Sequence, residues 1–186
     1  IQLVGAFNHI HIFVDPNPDP HVSFKERERL FALACSSWID YDPAALSQGG
    51  GVFERSAKSI PVSKEMKARF GIKKQTVEPN ELIAIMLVAK IDLLWSAGIG
   101  TFVKSSQETH ADVGDRTNDA IRVNACDLKC RIIGEGGNLG LTQKARVEYD
   151  FQGGLVYTDF IDNSAGVSCS DKEVNIKILL NTDVMD

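Results

Sequence analysis

The sequence contains neither a G-x-G-x-x-G turn nor a G-x-x-x-x-G-K-[ST] loop. Both glycine-rich phosphate cradles that open a nucleotide-binding strand–helix unit are therefore missing from residues 1–186. The run Gly134-Glu-Gly-Gly-Asn-Leu-Gly140 is rich in glycine but has the wrong spacing for either. No G-x-S-x-G elbow and no cysteine–histidine pairing points to a hydrolase. No stretch nears the ~18 consecutive apolar residues of a membrane helix, and the first residues do not read as a signal peptide. Cys35, Cys126, Cys130 and Cys169 lack C-x-x-C spacing, which leaves the expectation of free thiols in a reducing cytoplasm. His9 and His11 alternate along a strand-like run and share a face, but no carboxylate or cysteine joins them as a metal ligand. A formal charge of −5 supplies no attraction to nucleic acid or to an anionic membrane surface.

What is present is ordinary for a globular protein: 44% hydrophobic and 24% charged residues, in a chain long enough to bury a core as one domain. Ile1 enters a strand-like run with no Met and no polar lead-in, as a piece of a longer polypeptide would.

Residues 1–7 and 9–15 are β-like runs rich in Ile, Val and Phe, stopped by Pro16, Pro18 and Pro20, which cannot pair in a central strand. Ser23, with Glu26 three residues on, predicts a capped helix to about Leu33. Residues 38–61 have little periodicity and include three consecutive glycines at 49–51, which predicts a long surface connection. Residues 63–70 form a short helix ended by Gly71, and a stronger, nearly all-apolar helix starts at Glu78-Pro-Asn-Glu. Residues 91–95, 131–134 and 155–160 read as short buried strands. Helices are predicted from Asp115 or Thr117 to about Val123, over about 141–149, and from Asp162 or Ser164 to about Leu180. Alternating strands and helices predict an α/β fold with a mostly parallel sheet flanked by helices.

Each of the three later strands runs into a loop of small or amide residues: 97–101, 135–140 and 163–166. In an open parallel sheet such loops share the carboxyl edge and form the ligand crevice. Glycine lets backbone approach a ligand, and amides offer both donor and acceptor. Each loop alone is also compatible with a plain turn. A helix starting near Asn163 would offer its positive end to a carboxylate or phosphate, with Ser168 and Ser170 in its first turns. Those serines are equally compatible with bonding back to their own helix. Lys104, Glu108, His110, Asp112, Asp115 and Arg116 make a charged segment that reads either as a solvated lid or as a source of active-site charge.

The blocks DLLWSAGIGTFVK (92–104), GDRTNDAIRV (114–123), GEGGNLGLTQKARVEY (134–149) and DFIDNSAGVSCSDKEVNIKILL (159–180) resemble the large bacterial NAD-specific glutamate dehydrogenases. The resemblance extends over essentially the whole chain, including AFNHIHIFVDPNPDP near its start. It implies a Rossmann-like fold lacking its first strand and phosphate loop. Residues 1–186 would be most of the NAD-binding domain of a longer dehydrogenase, with 38–90 an insertion in it.

A more distant resemblance to the small glutamate dehydrogenases carries individual roles. Ala97, Gly98 and Ile99 are implied near the nicotinamide ribose, with Ile99 standing where the small enzymes have Thr, so that any hydroxyl contact falls to Thr101. Asn138 is implied at the nicotinamide and Asn163 at the nicotinamide or its ribose. Ser170 is implied at the substrate α-carboxylate. An acidic adenine-ribose ligand is implied near residues 7–10, where none stands; Asp15 follows the second run.

The reaction implied is oxidation of L-glutamate with NAD+ and water to 2-oxoglutarate, ammonia and NADH. Its catalytic lysine and aspartate are expected on a substrate domain upstream, so no catalytic residue is assigned here and the isolated chain is expected to be inactive. Partners implied are L-glutamate and 2-oxoglutarate, the rest of the same polypeptide, and further copies in a cytoplasmic homo-oligomer. A dehydrogenase of another amino acid, or a non-catalytic module sensing a nucleotide or an amino acid, are the competing readings.

Overall fold

A computed structural model describes residues 1–164, 166, 172, 173 and 175–180, and these form two compact units divided between Met86 and Leu87. Secondary structure is α/β, with parallel strands flanked by helices in the second unit. No helix among the described residues is long and apolar enough to cross a membrane.

The first unit is built on an antiparallel sheet in the order β1 (Gly5–Phe7), β2 (His11–Val14) and β3 (Gly51–Glu54). All four residues of β2 are buried, as expected of a central strand covered on both faces. Phe13 packs its ring 4.7 Å from Trp38 and 4.8 Å from Tyr41, and Leu30 completes that cluster from α1 (Pro20–Phe31). The expected surface connection over 38–61 thus contains a strand. Val52 and Phe53 pair with Phe13 and Ile12, and the glycine run ends at Gly51, where that pairing begins.

Helix α1 starts earlier than Ser23. Asp19 is its N-cap, accepting the N–H groups of His21 and Val22, and Pro20 occupies the first helical position, where its missing N–H costs nothing. Ser23 is buried inside the helix, and Glu26 turns instead to Arg29 and the Asp42 N–H. Beyond β3, β4 (Ile60–Pro61) pairs antiparallel with β5 (Thr76–Val77) around α2 (Lys64–Phe70). That helix is capped by Ser63 and closed by Gly71 in the left-handed region (φ 70°), as the residue pattern predicts. The nearly all-apolar α3 (Pro79–Leu87) buries Leu82, Ile83, Met86 and Leu87.

The second unit holds a three-stranded parallel sheet in the order β10-β9-β6, from β6 (Leu93–Ser96), β9 (Ile132–Glu135) and β10 (Leu155–Val156). Between β6 and β9 lie the parallel pair β7 (Val103–Lys104) and β8 (Val123–Asn124) and the short α4 (His110–Val113). The segment predicted as a helix up to Val123 forms only a single 3-10 turn, Arg116–Asn118, before β8. Helix α5 (Gln143–Phe151) is capped by the Thr142 hydroxyl, which accepts the Ala145 N–H. It covers one face of the sheet, where Ala145 and Tyr149 meet Ile133, Leu94 and Val156. The opposite face presents Leu93, Trp95, Ile132 and Leu155, all exposed. The third candidate strand stops at Val156, a short α6 (Asp159–Asp162) follows it, and the described residues of the expected final helix, 164, 166, 172, 173 and 175–180, are helical.

Candidate functional site

All three strands of the parallel sheet run in one direction, so the segments leaving β6, β9 and β10 emerge at one edge. Two of them touch directly. A Cβ at Gly137 would overlap the carbonyl of Gly98, so only glycine permits this approach of backbone to backbone. The Trp95 ring lies across Gly134 and Gly136, where a Cβ would come within 2.5 Å of it. The Thr101 hydroxyl donates to the Leu139 carbonyl at 2.7 Å, and the N–H groups of Phe102 and Val103 both donate to the Gly140 carbonyl. The third loop joins through side chains: Nδ2 of Asn163 donates to Oδ1 of Asn138 at 2.9 Å.

Ala97, Gly98 and Ile99 are exposed on the loop after β6, and Ile99 is 88% exposed. A Cβ built on Gly98 meets no atom within 4 Å, so its Cα borders open space while its carbonyl abuts Gly137. Asn138 is exposed and Asn163 half-buried. Asn163 ends α6 as its C-cap (φ −114°, ψ 32°), and Ser164, next in the chain, is again helical; Asp159 and Asp162 occupy the first turn of α6, which makes that end acidic. Ser168 and Ser170 lie outside the described residues.

Beneath the glycine loop is a charged core that the pattern of residue types did not reveal. Glu135 is fully buried and takes a bidentate contact from Arg146, Nε to Oε1 at 2.7 Å and Nη2 to Oε2 at 3.0 Å. Glu135 Oε2 also accepts the Leu141 N–H, and Asp162 accepts the N–H of Glu135 itself. Desolvation of Arg146 works against its charge, but Glu135 and then Asp159 outweigh it, so the guanidinium pKa is raised. The side-chain oxygens of Ser96, at the end of β6, and Thr158, the N-cap of α6, are buried without a hydrogen-bond partner among the described residues.

A second charged cluster holds the loop after β6. Asp115 accepts the Thr101 N–H at 2.9 Å and the Asn118 side-chain amide at 2.7 Å. Arg122, whose side chain is fully buried, donates to the Thr101 carbonyl at 2.7 Å and to Asp119 at 2.5 Å. The Asn118 amide, held by Asp115, pulls the Asp115 carboxyl below the usual aspartate range, aided by the Thr101 N–H and Arg122. Much of the segment read as a lid is therefore tied down locally. Lys104 is buried on Asn124 Oδ1 at 2.6 Å, Glu108 accepts from Ser105 and Thr142, and Asp112 bonds Thr109.

In the first unit, Asp15 is fully buried and accepts from the backbone and hydroxyl of Ser47 through Oδ1, so it pins the 42–47 turn to the end of β2, while its Oδ2 has no hydrogen-bond partner among the described residues. His11 is also buried, with Nδ1 3.0 Å from the Ser37 hydroxyl. No cluster of three metal-ligating side chains occurs among the described residues, and Cys35, Cys126 and Cys130 are free thiols.

Comparison with known proteins bears on the same residues. The family model described as bacterial NAD-glutamate dehydrogenase, catalytic domain, matches residues 1–186. A protein of Pseudomonas aeruginosa named NAD-specific glutamate dehydrogenase is 62% identical over 181 residues, which cover 97% of this chain and 11% of the relative. The protein of the same name from Halomonas elongata is 60% identical over 97% of the chain and 11% of its own length. The Mycobacterium tuberculosis protein is 52% identical over 98% of the chain and 12% of its own length. The chain thus spans about a ninth of the length of these curated relatives. With its whole length matched, and with identities above half, it belongs to the bacterial NAD-glutamate dehydrogenase catalytic domain family.

Proposed function

We propose that residues 1–186 are part of an NAD-dependent glutamate dehydrogenase and that the edge formed by residues 97–101, 136–140 and 163 receives the nicotinamide end of NAD. The observation that carries this reading is the Asn163–Asn138 hydrogen bond above the Gly98–Gly137 contact. That bond uses one donor of Asn163 and the acceptor of Asn138, leaving an N–H2 donor on Asn138, while the Asn163 side-chain oxygen lies against Gly166. That donor suits the carbonyl of a carboxamide ligand such as nicotinamide. Ala97, Gly98 and Ile99 border the adjoining ribose, and the orphaned hydroxyls of Ser96 and Thr158 are consistent with a polar ligand at this edge.

When bound, NAD supplies the hydride acceptor for conversion of L-glutamate and water to 2-oxoglutarate and ammonia. The residues of this chain bind and orient it; the lysine and aspartate that move protons belong to a substrate domain elsewhere in the polypeptide. Ser170 holds the substrate α-carboxylate. In this reading the fold is Rossmann-like, with its first strand and phosphate loop outside residues 1–186, and residues 38–90 are an insertion in that single NAD-binding domain. The bare apolar face of Leu93, Trp95, Ile132 and Leu155 is where further polypeptide of the long protein packs. The whole enzyme works as a cytoplasmic homo-oligomer.

The test is direct. Full-length protein should form NADH from NAD+ only when L-glutamate is supplied, and the 186-residue chain alone should form none. A full-length protein that prefers leucine or valine, or that forms no NADH with any amino acid, refutes the assignment.

A further inference from the structure

Asp159 joins the buried ion pair to the loop that carries Asn138. Its Oδ2 accepts the backbone N–H of Leu139 at 3.0 Å, while its Oδ1 lies 3.4 Å from Nη2 of Arg146. Arg146 is at the same time the bidentate partner of Glu135. Three backbone N–H groups of the loop, those of Glu135, Leu139 and Leu141, are thus held by Asp162, Asp159 and Glu135 respectively. Leu139 needs such holding. Its φ is 53°, the left-handed region, and it is the one non-glycine residue with positive φ among the described residues. A leucine stays there only when its surroundings enforce it. Its side chain is 58% exposed, so packing does not supply the constraint. The constraint is polar: Asp159 on its N–H and the Thr101 hydroxyl on its carbonyl. Rotation about φ of Leu139 turns the peptide plane it shares with Asn138.

We propose that Asp159 is a positioning residue for Asn138, coupling the Arg146–Glu135 pair to the Leu139 backbone and so setting the angle at which the Asn138 carboxamide meets the cofactor. This rests on the cofactor reading given above. Asp159→Asn is the discriminating change because it keeps the volume and leaves Arg146 paired with Glu135. A carboxylate can accept from Leu139 with one oxygen and face the guanidinium with the other. An amide can do only one of these, since its other terminus is an N–H2 donor.

The experiment uses full-length protein and three readouts: amide hydrogen exchange over residues 136–142, NADH affinity, and steady-state kinetics with glutamate deuterated at C2. Asp159→Asn should raise exchange at Leu139 about tenfold, as local opening becomes easier. It should also lower kcat about tenfold with the KM for glutamate changed less than about twofold, while the deuterium effect on kcat grows because hydride transfer becomes more limiting. NADH should bind several-fold more weakly. Exchange and isotope effect unchanged from the parent protein would overturn the proposal. Leu139→Gly guards against a variant that fails to fold, since glycine accepts the same φ without enforcement and loses only an exposed side chain. Asp159→Asn should therefore cost less in kcat in a Leu139→Gly background than alone, and an equal cost in the two backgrounds would overturn the proposal. If unmodified full-length protein fails to oxidise glutamate with NAD, the cofactor reading falls and this one with it. If that protein is active while Asp159→Asn behaves like it, only the positioning role falls.

Discussion

Asn163 and Asn138, 25 positions apart in the chain, share a side-chain hydrogen bond of 2.9 Å that ties the end of α6 to the glycine loop after β9. The Asn138 amide keeps its N–H2 donor, whereas the Asn163 side-chain oxygen lies against Gly166. Asn138→Asp keeps the oxygen that Asn163 requires and deletes the N–H2. It should leave the melting temperature of the full-length protein nearly unchanged and weaken NADH binding about tenfold, the equivalent of one hydrogen bond of ~1.4 kcal/mol. Fluorescence titration with NADH beside a thermal melt checks both halves.

Gly98 and Gly137 should respond oppositely to the same methyl group. Gly137→Ala forces the new Cβ against the Gly98 carbonyl, so the loops must part, at a cost of about 1–3 kcal/mol. Gly98→Ala meets no protein atom within 4 Å and should cost almost nothing in stability, yet the methyl intrudes on the space assigned to the ribose and should weaken NADH binding. Equal effects of the two substitutions on stability would contradict the contact described.

The Arg146–Glu135 pair is buried and doubly hydrogen-bonded, so removing one partner strands the other's charge. Arg146→Met should destabilise the sheet around β9 by about 3–5 kcal/mol, whereas Arg146→Met with Glu135→Leu should recover much of that loss. Native-state hydrogen exchange of the α5 amides in full-length protein would measure both.

Acid should loosen the loop after β6. The Asp115 carboxyl is held below the ordinary aspartate value of about 3.9, chiefly by the Asn118 side-chain amide. A group whose folded pKa is depressed contributes stability that is complete above its unfolded value and is lost as pH falls through the folded one. Protection of the Thr101 amide should therefore be level from neutral pH to about 4 and decline below it. Asp115→Asn should show lower protection throughout and no such decline. Hydrogen exchange on the two proteins at matched pH separates the cases.

How much of this was legible in residue order depends on the range of the interaction. The β6, β9 and β10 segments announce themselves by short apolar runs, and the loops after them by glycine and asparagine, because these are properties of neighbours in the chain. The caps of α2 and α5 are equally local. The start of α1 was also marked, by Asp19-Pro20, but Ser23 and Glu26 made a competing signal that burial of Ser23 resolved. β3 was hidden because Gly51–Glu54 becomes a strand only by pairing with β2, some 40 residues away. The Glu135–Arg146–Asp159 network was invisible for the same reason: ordinary charged residues, 11 apart in the first pair, gain meaning only when α5 lies on the sheet. Arg122 secures Thr101 across 21 positions, a separation at which residue order carries no signal.

The central claim is that residues 97–101, 136–140 and 163 meet the nicotinamide end of NAD. A structure of the full-length protein crystallised with NAD tests it most directly. The account predicts the nicotinamide carboxamide within hydrogen-bonding distance of Asn138 and Asn163, with the adjoining ribose against Gly98. Nicotinamide density at any other edge of the protein, with the Asn163–Asn138 pair untouched, would contradict it.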